Sequence, residues 1–311
     1  MKDNFGREID YLRISLTRRC DLNCSYCGHK KDSEQRELTV SEIALFVRAF
    51  AKLGIKKVRL TGGEPLVRED IIKIAETVRS VKGIESLYIT TNGTRLSEMA
   101  KELKNAGVDG VNISIDTLDN ERYKALTGTD KLSQVLDGFY TALNTGFSSV
   151  KVNSVLVRGK NDEDAASLIR LAENNFCDVR FIELMPFSRQ GDEQRLIVTE
   201  RELLGRFPFL EPVHDNEKGA ARYYTAEGFK GRIGFISPRS CKFCSLCNRI
   251  RLLADGRIKL CLGSDETVDV MPYINDGERL TREIENAILR KPASHHFEDG
   301  DSFRGLNLIG G

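Results

Sequence analysis

Alternating strand-like and helix-like segments constrain the fold of this chain more than any other feature of its sequence. Short runs rich in Val, Ile, Leu and Thr predict strands over residues 11–16, 55–61, 86–91, 110–116, 150–158 and 178–185. Apolar residues at helical spacing predict helices over residues 39–53, 69–80, 96–105, 132–144 and 162–174. Six successive β/α units favour a parallel sheet with its helices outside, as an open doubly wound sheet or as an incomplete barrel. In both architectures the active site lies at the carboxyl ends of the strands.

The pattern changes after about residue 185. A polar segment over residues 188–195 is followed by a short predicted helix over residues 199–207 and a loop-rich stretch over residues 214–231. A hairpin through Asp255-Gly256 and a final helix over residues 279–290 come next. The expected fold is therefore α/β: a partial (β/α)6 TIM-like barrel over residues 1–188, with a smaller C-terminal α+β part over residues 189–311.

Charge and hydropathy exclude several classes of protein. The 311 residues include 47 Lys and Arg against 46 Asp and Glu, so any anion must be bound by a local basic site rather than by a global field. Together with the six β/α units, this balance disfavours a nucleic-acid-binding protein. The longest apolar run covers residues 43–47 and is too short for a membrane span, and the acidic N-terminus lacks the apolar stretch of a signal peptide. The expected location is the cytoplasm.

Three cysteines with the spacing CxxxCxxC, Cys20, Cys24 and Cys27, follow the first predicted strand. They therefore lie on a loop at the carboxyl edge of the sheet. Three thiolates on one tight loop suit a [4Fe–4S] cluster, whose fourth iron stays open to a small molecule. The alternative is structural zinc, which normally takes four ligands and fits three cysteines poorly unless His29 joins them. We favour the iron–sulfur interpretation of this loop.

A second group of cysteines lies far along the chain: Cys241, Cys244, Cys247 and Cys261. Taken alone, these four suit a zinc ribbon and a second iron–sulfur cluster equally well. Arg249 and Arg251 lie between them and are two residues apart, so in an extended segment both side chains point to one face and suit phosphate. The eighth cysteine, Cys177, is expected to be a buried thiol.

The first motif resembles that of the radical S-adenosylmethionine (SAM) superfamily, in which an aromatic residue, here Tyr26, precedes the last cysteine. That superfamily also has a Gly-Gly-Glu-Pro stretch after its second strand, and Gly62-Gly63-Glu64-Pro65 stands there in this chain. The resemblance implies that the open iron chelates SAM and that an electron from the cluster cleaves SAM to a 5′-deoxyadenosyl radical. Two glycines let the backbone approach the bound amino group closely.

The combined pattern resembles the molybdenum cofactor biosynthesis protein A family, the GTP 3′,8-cyclases. Members share the first cluster near residue twenty, a second CxxC-x13-C cluster, and an Asn-Arg-x-Arg segment that stands here at residues 248–251. They also end in Gly-Gly, as this chain does at Gly310 and Gly311. The resemblance covers essentially the whole chain.

The resemblance implies a set of site residues. The radical-generating cluster is held by Cys20, Cys24 and Cys27, and the second cluster, in the C-terminal part, by Cys244, Cys247 and Cys261. The residues implied to contact SAM are Tyr26, Gly63, Ser114 and Met185. The residues implied to contact GTP are Arg13, Arg59, Thr90, Lys151, Arg249, Ile250 and Arg251. We further expect the tail, Gly310 and Gly311, to enter the barrel and help orient the substrate or its radical.

The implied activity is conversion of GTP to 3′,8-cyclo-7,8-dihydro-GTP through abstraction of the ribose 3′ hydrogen, with two [4Fe–4S] clusters and SAM as cofactors. Expected partners are GTP, an electron donor, cyclic pyranopterin monophosphate synthase as the next enzyme of molybdopterin synthesis, and a second copy of the chain. Two features depart from the family: Gly28-His29 stands where Met-Pro is frequent, and Cys241 is additional. The alternatives are a radical SAM enzyme acting on a peptide or another small molecule, and a zinc-ribbon nucleic-acid-binding protein.

Overall fold

The computed structural model describes residues 1–27, 36–187, 194–213, 219–295 and 297. Its first part alternates strands and helices as the sequence predicts. The strands are β1 (Tyr11–Ser15), β2 (Lys57–Thr61), β3 (Ser86–Thr91), β4 (Gly110–Ser114), β5 (Ser149–Val155) and β6 (Asp178–Ile182). The helices are α1 (Val40–Lys52), α2 (Ile71–Arg79), α3 (Leu96–Asn105), α4 (Asn120–Thr127), α5 (Leu132–Asn144) and α6 (Ala165–Asn174).

The C-terminal part contains shorter strands and two further described helices. The strands are β7 (Glu211–Pro212), β8 (Arg222–Thr225), β9 (Ile233–Ile236), β10 (Arg249–Leu252), β11 (Arg257–Lys259) and β12 (Thr267–Asp269). The helices are α7 (Glu200–Arg206) and α8 (Gly277–Leu289). The predicted hairpin through Asp255-Gly256 is present, because β10 and β11 pair antiparallel.

The described strands form a single sheet in the order β12-β11-β10-β1-β2-β3-β4-β5-β6-β9-β8-β7. Neighbours from β1 to β6 are parallel, and the C-terminal part adds β10 parallel to β1 and β9 parallel to β6. The α/β fold with a partial, barrel-like parallel sheet is confirmed. The C-terminal strands extend both edges of the same sheet, which the sequence pattern did not indicate.

The hydrophobic core lies between the sheet and the outer helices. Alternate strand residues face it, and Leu12 and Ile14 of β1 are fully buried there together with Phe46 and Phe50 of α1. Helix α1 begins with a capping box, in which the Thr39 side chain and that of the glutamate three residues later cap each other's backbone amides. In the described part of the chain, we find no helix with the length and apolar character of a membrane span.

Candidate functional site

One large cavity, of about 990 Å³, lies on the inner side of the curved sheet. Its wall consists of inward-facing side chains of β1 to β6 together with residues of the C-terminal part. Seven of the eight cysteines line it: Cys177 and the two predicted groups, Cys20, Cys24 and Cys27 and Cys244, Cys247 and Cys261. The structure therefore brings both predicted cysteine groups to the same internal space.

The two cysteine groups lie at opposite ends of that cavity. Cys20 comes after the carboxyl end of β1, whereas Cys247 lies two residues before the amino end of β10. Since β10 runs parallel to β1, with Arg249 opposite Tyr11, the second group lies at the amino end of the strands. Cys261 follows the antiparallel strand β11, which returns the chain to that same end. A five-residue strand at roughly 3.3 Å per residue separates the two ends by about 16 Å.

The first cysteine loop is attached to a helix that the sequence did not predict. The amides of Asn23 and Ser25 donate to the carbonyls of Thr127 (2.9 Å) and Leu126 (2.8 Å), the last residues of α4. Within the loop, the Cys27 amide donates to the Cys24 carbonyl (3.0 Å), which forms a turn. These contacts hold the loop against the barrel rim.

Burial makes the first cysteines hard to ionise in the protein alone. It raises the pKa of the Cys20 thiol to about 12, and the charges of Glu64 and Asp21 add to the effect. It also raises the pKa of Cys24 well above its usual range, with Asp116 contributing. Because cysteines bind metals as thiolates, these side chains require a positively charged partner. An iron–sulfur core supplies that charge, so the donor set fits such a cluster.

The Gly-Gly-Glu-Pro turn packs against the segment that leads into the first cysteine loop. The Gly63 amide donates to the Thr17 carbonyl (2.7 Å), and the Glu64 amide donates to the Arg19 carbonyl (2.8 Å). A Cβ atom at Gly63 would lie 2.3 Å from the Arg19 carbonyl oxygen, so a side chain cannot be accommodated without moving the backbone. The absence of a side chain is thus required for this packing, in addition to the ligand approach that the sequence suggested.

Glu64 is buried and holds three segments together. Its carboxylate accepts hydrogen bonds from the amides of Leu66 (2.9 Å) and Asn92 (2.6 Å) and from the Thr91 hydroxyl (2.7 Å). Burial raises its pKa to about 7. The side chain therefore couples the end of β2 to the end of β3 beneath the cysteine loop.

The four residues predicted to contact SAM line the cavity together with the first cysteine group. They are Tyr26, Gly63, Ser114 and Met185. The Tyr26 hydroxyl donates to the carboxylate of Asp116, which also accepts from the Val155 amide (2.8 Å). This places Tyr26 against the inner wall at the carboxyl ends of β4 and β5. The structure thus brings these four positions to one end of the cavity.

Six of the seven residues predicted to contact GTP also line the cavity, namely Arg13, Arg59, Thr90, Lys151, Arg249 and Arg251. The exception is Ile250, whose side chain is fully buried in the hydrophobic core. Alternate residues of a strand face opposite sides, so the two arginines of β10 face the cavity while Ile250 between them faces the helices. Its side chain does not reach the nucleotide space.

The cationic side chains among these six residues form a cationic layer, in which the pKa values of Arg13 and Arg251 are lowered. Burial, followed by the charge of Arg251, holds the pKa of Arg13 well below its usual range, and the two residues are partners across β1 and β10. Burial and the charge of Arg249 lower the pKa of Arg251 to about 10. A polyanion bound here relieves that repulsion, so the arrangement favours phosphate groups.

The pKa of Tyr11 reflects the same positive potential. Burial alone raises the pKa of a phenol, but the charges of Arg59, Arg13 and Lys57 outweigh it and lower the pKa of Tyr11 to about 7. The Arg59 side chain donates from Nε to the Tyr11 hydroxyl and from Nη1 to Thr90 (3.3 Å). The middle of the cavity is therefore strongly cationic.

Sequence reasoning missed further cationic residues that line the cavity, among them Lys57 and Arg180. Lys57 lies two residues before Arg59 on β2, and its ammonium group lies over the rings of Tyr11 (5.1 Å) and Tyr88 (4.6 Å). Arg180 of β6 lines the cavity, and burial lowers its pKa. The available signal was strand alternation, because charged residues recur at every second position of β2 and β6.

The second cysteine group is surrounded by cations. Burial opposes ionisation of Cys247, but the charges of Lys291 and Arg249 outweigh it, and the pKa of this thiol is lowered. Arg7 donates to the Cys244 carbonyl (3.0 Å), and Lys291 donates to the Leu260 carbonyl (2.7 Å), next to Cys261. These surroundings suit three thiolates and the negatively charged cluster that they hold.

The remaining sequence predictions concern two further cysteines and residues outside the described part of the chain. Cys177 is buried, as expected. Cys241 is exposed, and its sulfur contacts the Arg222 guanidinium. Gly28, His29 and the terminal glycines lie outside the described residues. Within the described part of the chain, no three His, Cys, Asp or Glu side chains form a group that could hold a metal ion.

Comparison with known proteins agrees with this geometry. The model of the radical SAM superfamily matches residues 14–172, and that of the molybdenum cofactor synthesis C family matches residues 177–297. Among solved structures, SuiB of Streptococcus suis bound to S-adenosylmethionine has a TM-score of 0.62 at 14% identity, over 97% of this chain and 77% of that one. At that identity the likeness shows the fold. The chain is a radical SAM protein with two cysteine sites.

The curated relatives define the particular family. A GTP 3′,8-cyclase of Marinobacter nauticus is 40% identical over 326 residues, which is 100% of this chain and 98% of that protein. A GTP 3′,8-cyclase of Alkaliphilus oremlandii is 41% identical over 321 residues, which is 100% of both. The chain belongs to the GTP 3′,8-cyclase family, whose cofactors are SAM and two iron–sulfur clusters.

Proposed function

We propose that this protein converts GTP to 3′,8-cyclo-7,8-dihydro-GTP, with SAM and GTP bound end to end in the barrel cavity. The observation that carries the proposal is one cavity with three cysteines at each end and a cationic layer between them. The distance of about 16 Å spanned by a five-residue strand leaves room for the two ligands in line. This is the first committed step toward molybdopterin.

The residues that hold the cofactors follow from their positions. Three thiols at the carboxyl ends of the strands, Cys20, Cys24 and Cys27, hold the first cluster. Three at the amino ends, Cys244, Cys247 and Cys261, hold the second. When bound, the first cluster would supply the electron for reductive cleavage of SAM to the 5′-deoxyadenosyl radical, and the second would bind the guanine base. Tyr26, Gly63, Ser114 and Met185 bind and orient SAM beside the first site.

The protein's own contribution to the reaction is positioning. Arg13, Arg59, Lys151, Arg249 and Arg251 bind the triphosphate, which fixes the ribose relative to SAM. Thr90 contacts Arg59 and holds its guanidinium toward the cavity. Because the cations already face one another without the nucleotide, triphosphate binding releases repulsion at the site. Ile250 contributes to this layer by holding β10 in the core, with its backbone between the two arginines.

The expected partners, the location and the division of the chain into two regions also belong to this proposal. An electron donor, delivery of the product to cyclic pyranopterin monophosphate synthase, a homodimer and a cytoplasmic location stay predictions. So does the division of the chain into a barrel of residues 1–188 and an auxiliary-cluster region of residues 189–311. In the division that we propose, the second region carries Arg249, Arg251 and the second cysteine group and completes both edges of the sheet.

The experiment that tests the function is an anaerobic incubation of reconstituted protein with SAM, a strong reductant and GTP. We expect 5′-deoxyadenosine and a cyclised nucleotide in comparable amounts, identified by mass spectrometry. Deuterium at C3′ of GTP is expected to appear in the 5′-deoxyadenosine. Formation of 5′-deoxyadenosine without any change in GTP would instead favour a radical SAM enzyme acting on a peptide or another small molecule.

The terminal glycines are part of this proposal as a tail that enters the cavity. Residues without side chains fit a narrow space, and the terminal carboxylate can pair with an arginine. Deleting Gly310 and Gly311 is expected to suppress cyclised product while both clusters and SAM binding persist. A matched control replaces both with alanine, which keeps the length of the tail. Full product yield from the deletion variant would make the tail dispensable.

A further inference from the structure

The aspartate that follows the first cysteine is held by three side chains. The Asp21 carboxylate accepts hydrogen bonds from the Asn92 amide nitrogen Nδ2 (2.7 Å) and from the Thr94 hydroxyl (2.8 Å). It also forms an ion pair with the Lys131 ammonium group at 2.9 Å. Asn92 and Thr94 follow β3, and Lys131 directly precedes α5. One carboxylate next to a cluster ligand is thus fixed to two other parts of the barrel rim.

The same network reaches the ligand itself. Asn92 Nδ2 lies 3.9 Å from the Cys20 sulfur, and the Asn92 amide donates to the buried carboxylate of Glu64 (2.6 Å). The Thr94 amide in turn donates to the Asn92 side-chain oxygen (3.0 Å). The backbone amide and both polar side-chain atoms of Asn92 are therefore engaged, so the orientation of its side chain toward Cys20 is fixed. A charge on Asp21 acts from a defined position relative to that sulfur.

Resting on the proposed function, we propose that Asp21 and Lys131 form a charge pair that sets the reduction potential of the first cluster. Net charge and hydrogen bonds to the sulfurs are the main protein determinants of such potentials. Reduction adds a negative charge to the cluster. The Asp21 carboxylate opposes that step and the Lys131 ammonium group favours it. The two are positioning and tuning residues that touch neither substrate nor SAM in this assignment.

The proposal predicts that removing the charge of Asp21 and removing that of Lys131 shift the reduction potential of the first cluster in opposite directions. Asp21→Asn removes the negative charge while keeping the shape of the side chain, so the potential of the first cluster is expected to rise. Lys131→Met leaves the carboxylate without its ammonium partner, so the potential is expected to fall. At a fixed applied potential, each change is expected to alter the ratio of reduced to oxidised cluster about tenfold. The double variant is expected to return close to the original value.

The measurement is potentiometry monitored by electron paramagnetic resonance, on reconstituted full-length protein in which Cys247→Ser has removed the second cluster. Matched controls are Asp130→Asn and Lys124→Met, which remove the same charges from exposed positions of the same rim. Iron content and circular dichroism establish that each variant is folded and loaded. If Asp21→Asn fails to hold the cluster, the fall expected for Lys131→Met decides the question alone.

Shifts of the same sign in both variants, or shifts no larger than those of the controls, would overturn the proposal. This result is independent of GTP, because the potential is measured without nucleotide. GTP conversion is assayed separately, in protein that keeps Cys247 and its second cluster. If the protein with both clusters makes cyclised product but the variants show no opposite shifts, only the proposal about the charge pair is contradicted. If the shifts are found but that protein leaves GTP unchanged, only the proposed function is contradicted.

Discussion

The two cysteine sites differ in the charges around them. Carboxylates surround the first: burial raises the pKa of Glu64 to about 7 and that of Asp116 to about 6, and both disfavour a thiolate nearby. Cations surround the second, where Lys291 and Arg249 lower the pKa of Cys247. One fold thus provides two sites with identical donor atoms and opposite electrostatic surroundings.

Under the proposed function, this difference separates two chemical tasks. Negative surroundings make a cluster harder to reduce and therefore a stronger reductant once it is reduced, as cleavage of SAM requires. Positive surroundings stabilise thiolates and attract an anionic substrate, as a site for GTP requires. The two tasks are compatible in one cavity because the sites are a strand's length apart.

The largest expected effects come from removing one ligand at each site. Cys24→Ser is expected to abolish SAM cleavage, because it removes a ligand of the reducing cluster. Cys247→Ser is expected to retain some uncoupled SAM cleavage while abolishing GTP conversion. Assays of 5′-deoxyadenosine and of cyclised nucleotide separate the two outcomes. Cys241→Ser is the matched control, since that thiol is exposed and outside the cavity, and it is expected to retain both activities.

Equal loss of both activities in the two ligand variants, with each protein folded and loaded at its other site, would contradict separate roles for the clusters. Loss of the second cluster in Cys241→Ser would instead make Cys241 a ligand. Iron content and absorption spectra of each variant distinguish these cases.

The next effect concerns the cationic layer. Arg251→Ala is expected to weaken GTP binding roughly tenfold or more, because a charge-assisted hydrogen bond contributes about 1.5–3 kcal/mol. Both clusters are expected to remain. Calorimetric titration with GTP and iron analysis measure the two quantities. Arg257→Ala is the matched control, because Arg257 lies nearby on β11 and pairs with Asp255 outside the cavity. Unchanged GTP affinity in Arg251→Ala would remove this residue from the site.

The sequence predicts the barrel well because its signal there is local. All six strands of the first part appear within a few residues of their predicted bounds. Helix α4 was missed because it is largely polar, with burial confined to Tyr123, Leu126 and Thr127. The β9 and β10 strands are four residues long, and their partners β6 and β1 lie far away in sequence, so their pairing is not a local property.

The residues of the candidate site that belong to sequence motifs could be predicted. Those that only the fold brings into the cavity could not. The cysteines, Gly63 and the Arg249–Arg251 pair belong to motifs with fixed spacing. Lys57 and Arg180 belong to no motif, and only strand alternation combined with the sheet order places them in the cavity. Ile250 was included among the residues expected to contact GTP because it stands inside the Asn-Arg-x-Arg motif. Strand alternation instead assigns its side chain to the face that packs against the helices.

A moderate effect is expected on the pH dependence of GTP binding. Since the cations lower the pKa of Tyr11 to about 7, this phenol loses its proton as the pH rises through 7. The phenolate then competes with the triphosphate for Arg59 and Arg13, so GTP affinity is expected to fall a few-fold above that pH. Tyr11→Phe is expected to remove this dependence. A dependence that persists unchanged in Tyr11→Phe would assign it to another group.

The smallest expected effect tests which face of β10 meets the nucleotide. Ile250→Val removes one methyl group from the fully buried side of the strand, and such a change typically costs about 0.5–1.5 kcal/mol of stability. The apparent melting temperature is therefore expected to fall by about 2 °C, measured by scanning calorimetry of the loaded protein. GTP affinity is expected to stay unchanged, in contrast with Arg251→Ala. Loss of affinity with an unchanged melting temperature would place the Ile250 side chain in the cavity, which would reverse the assignment of the two faces.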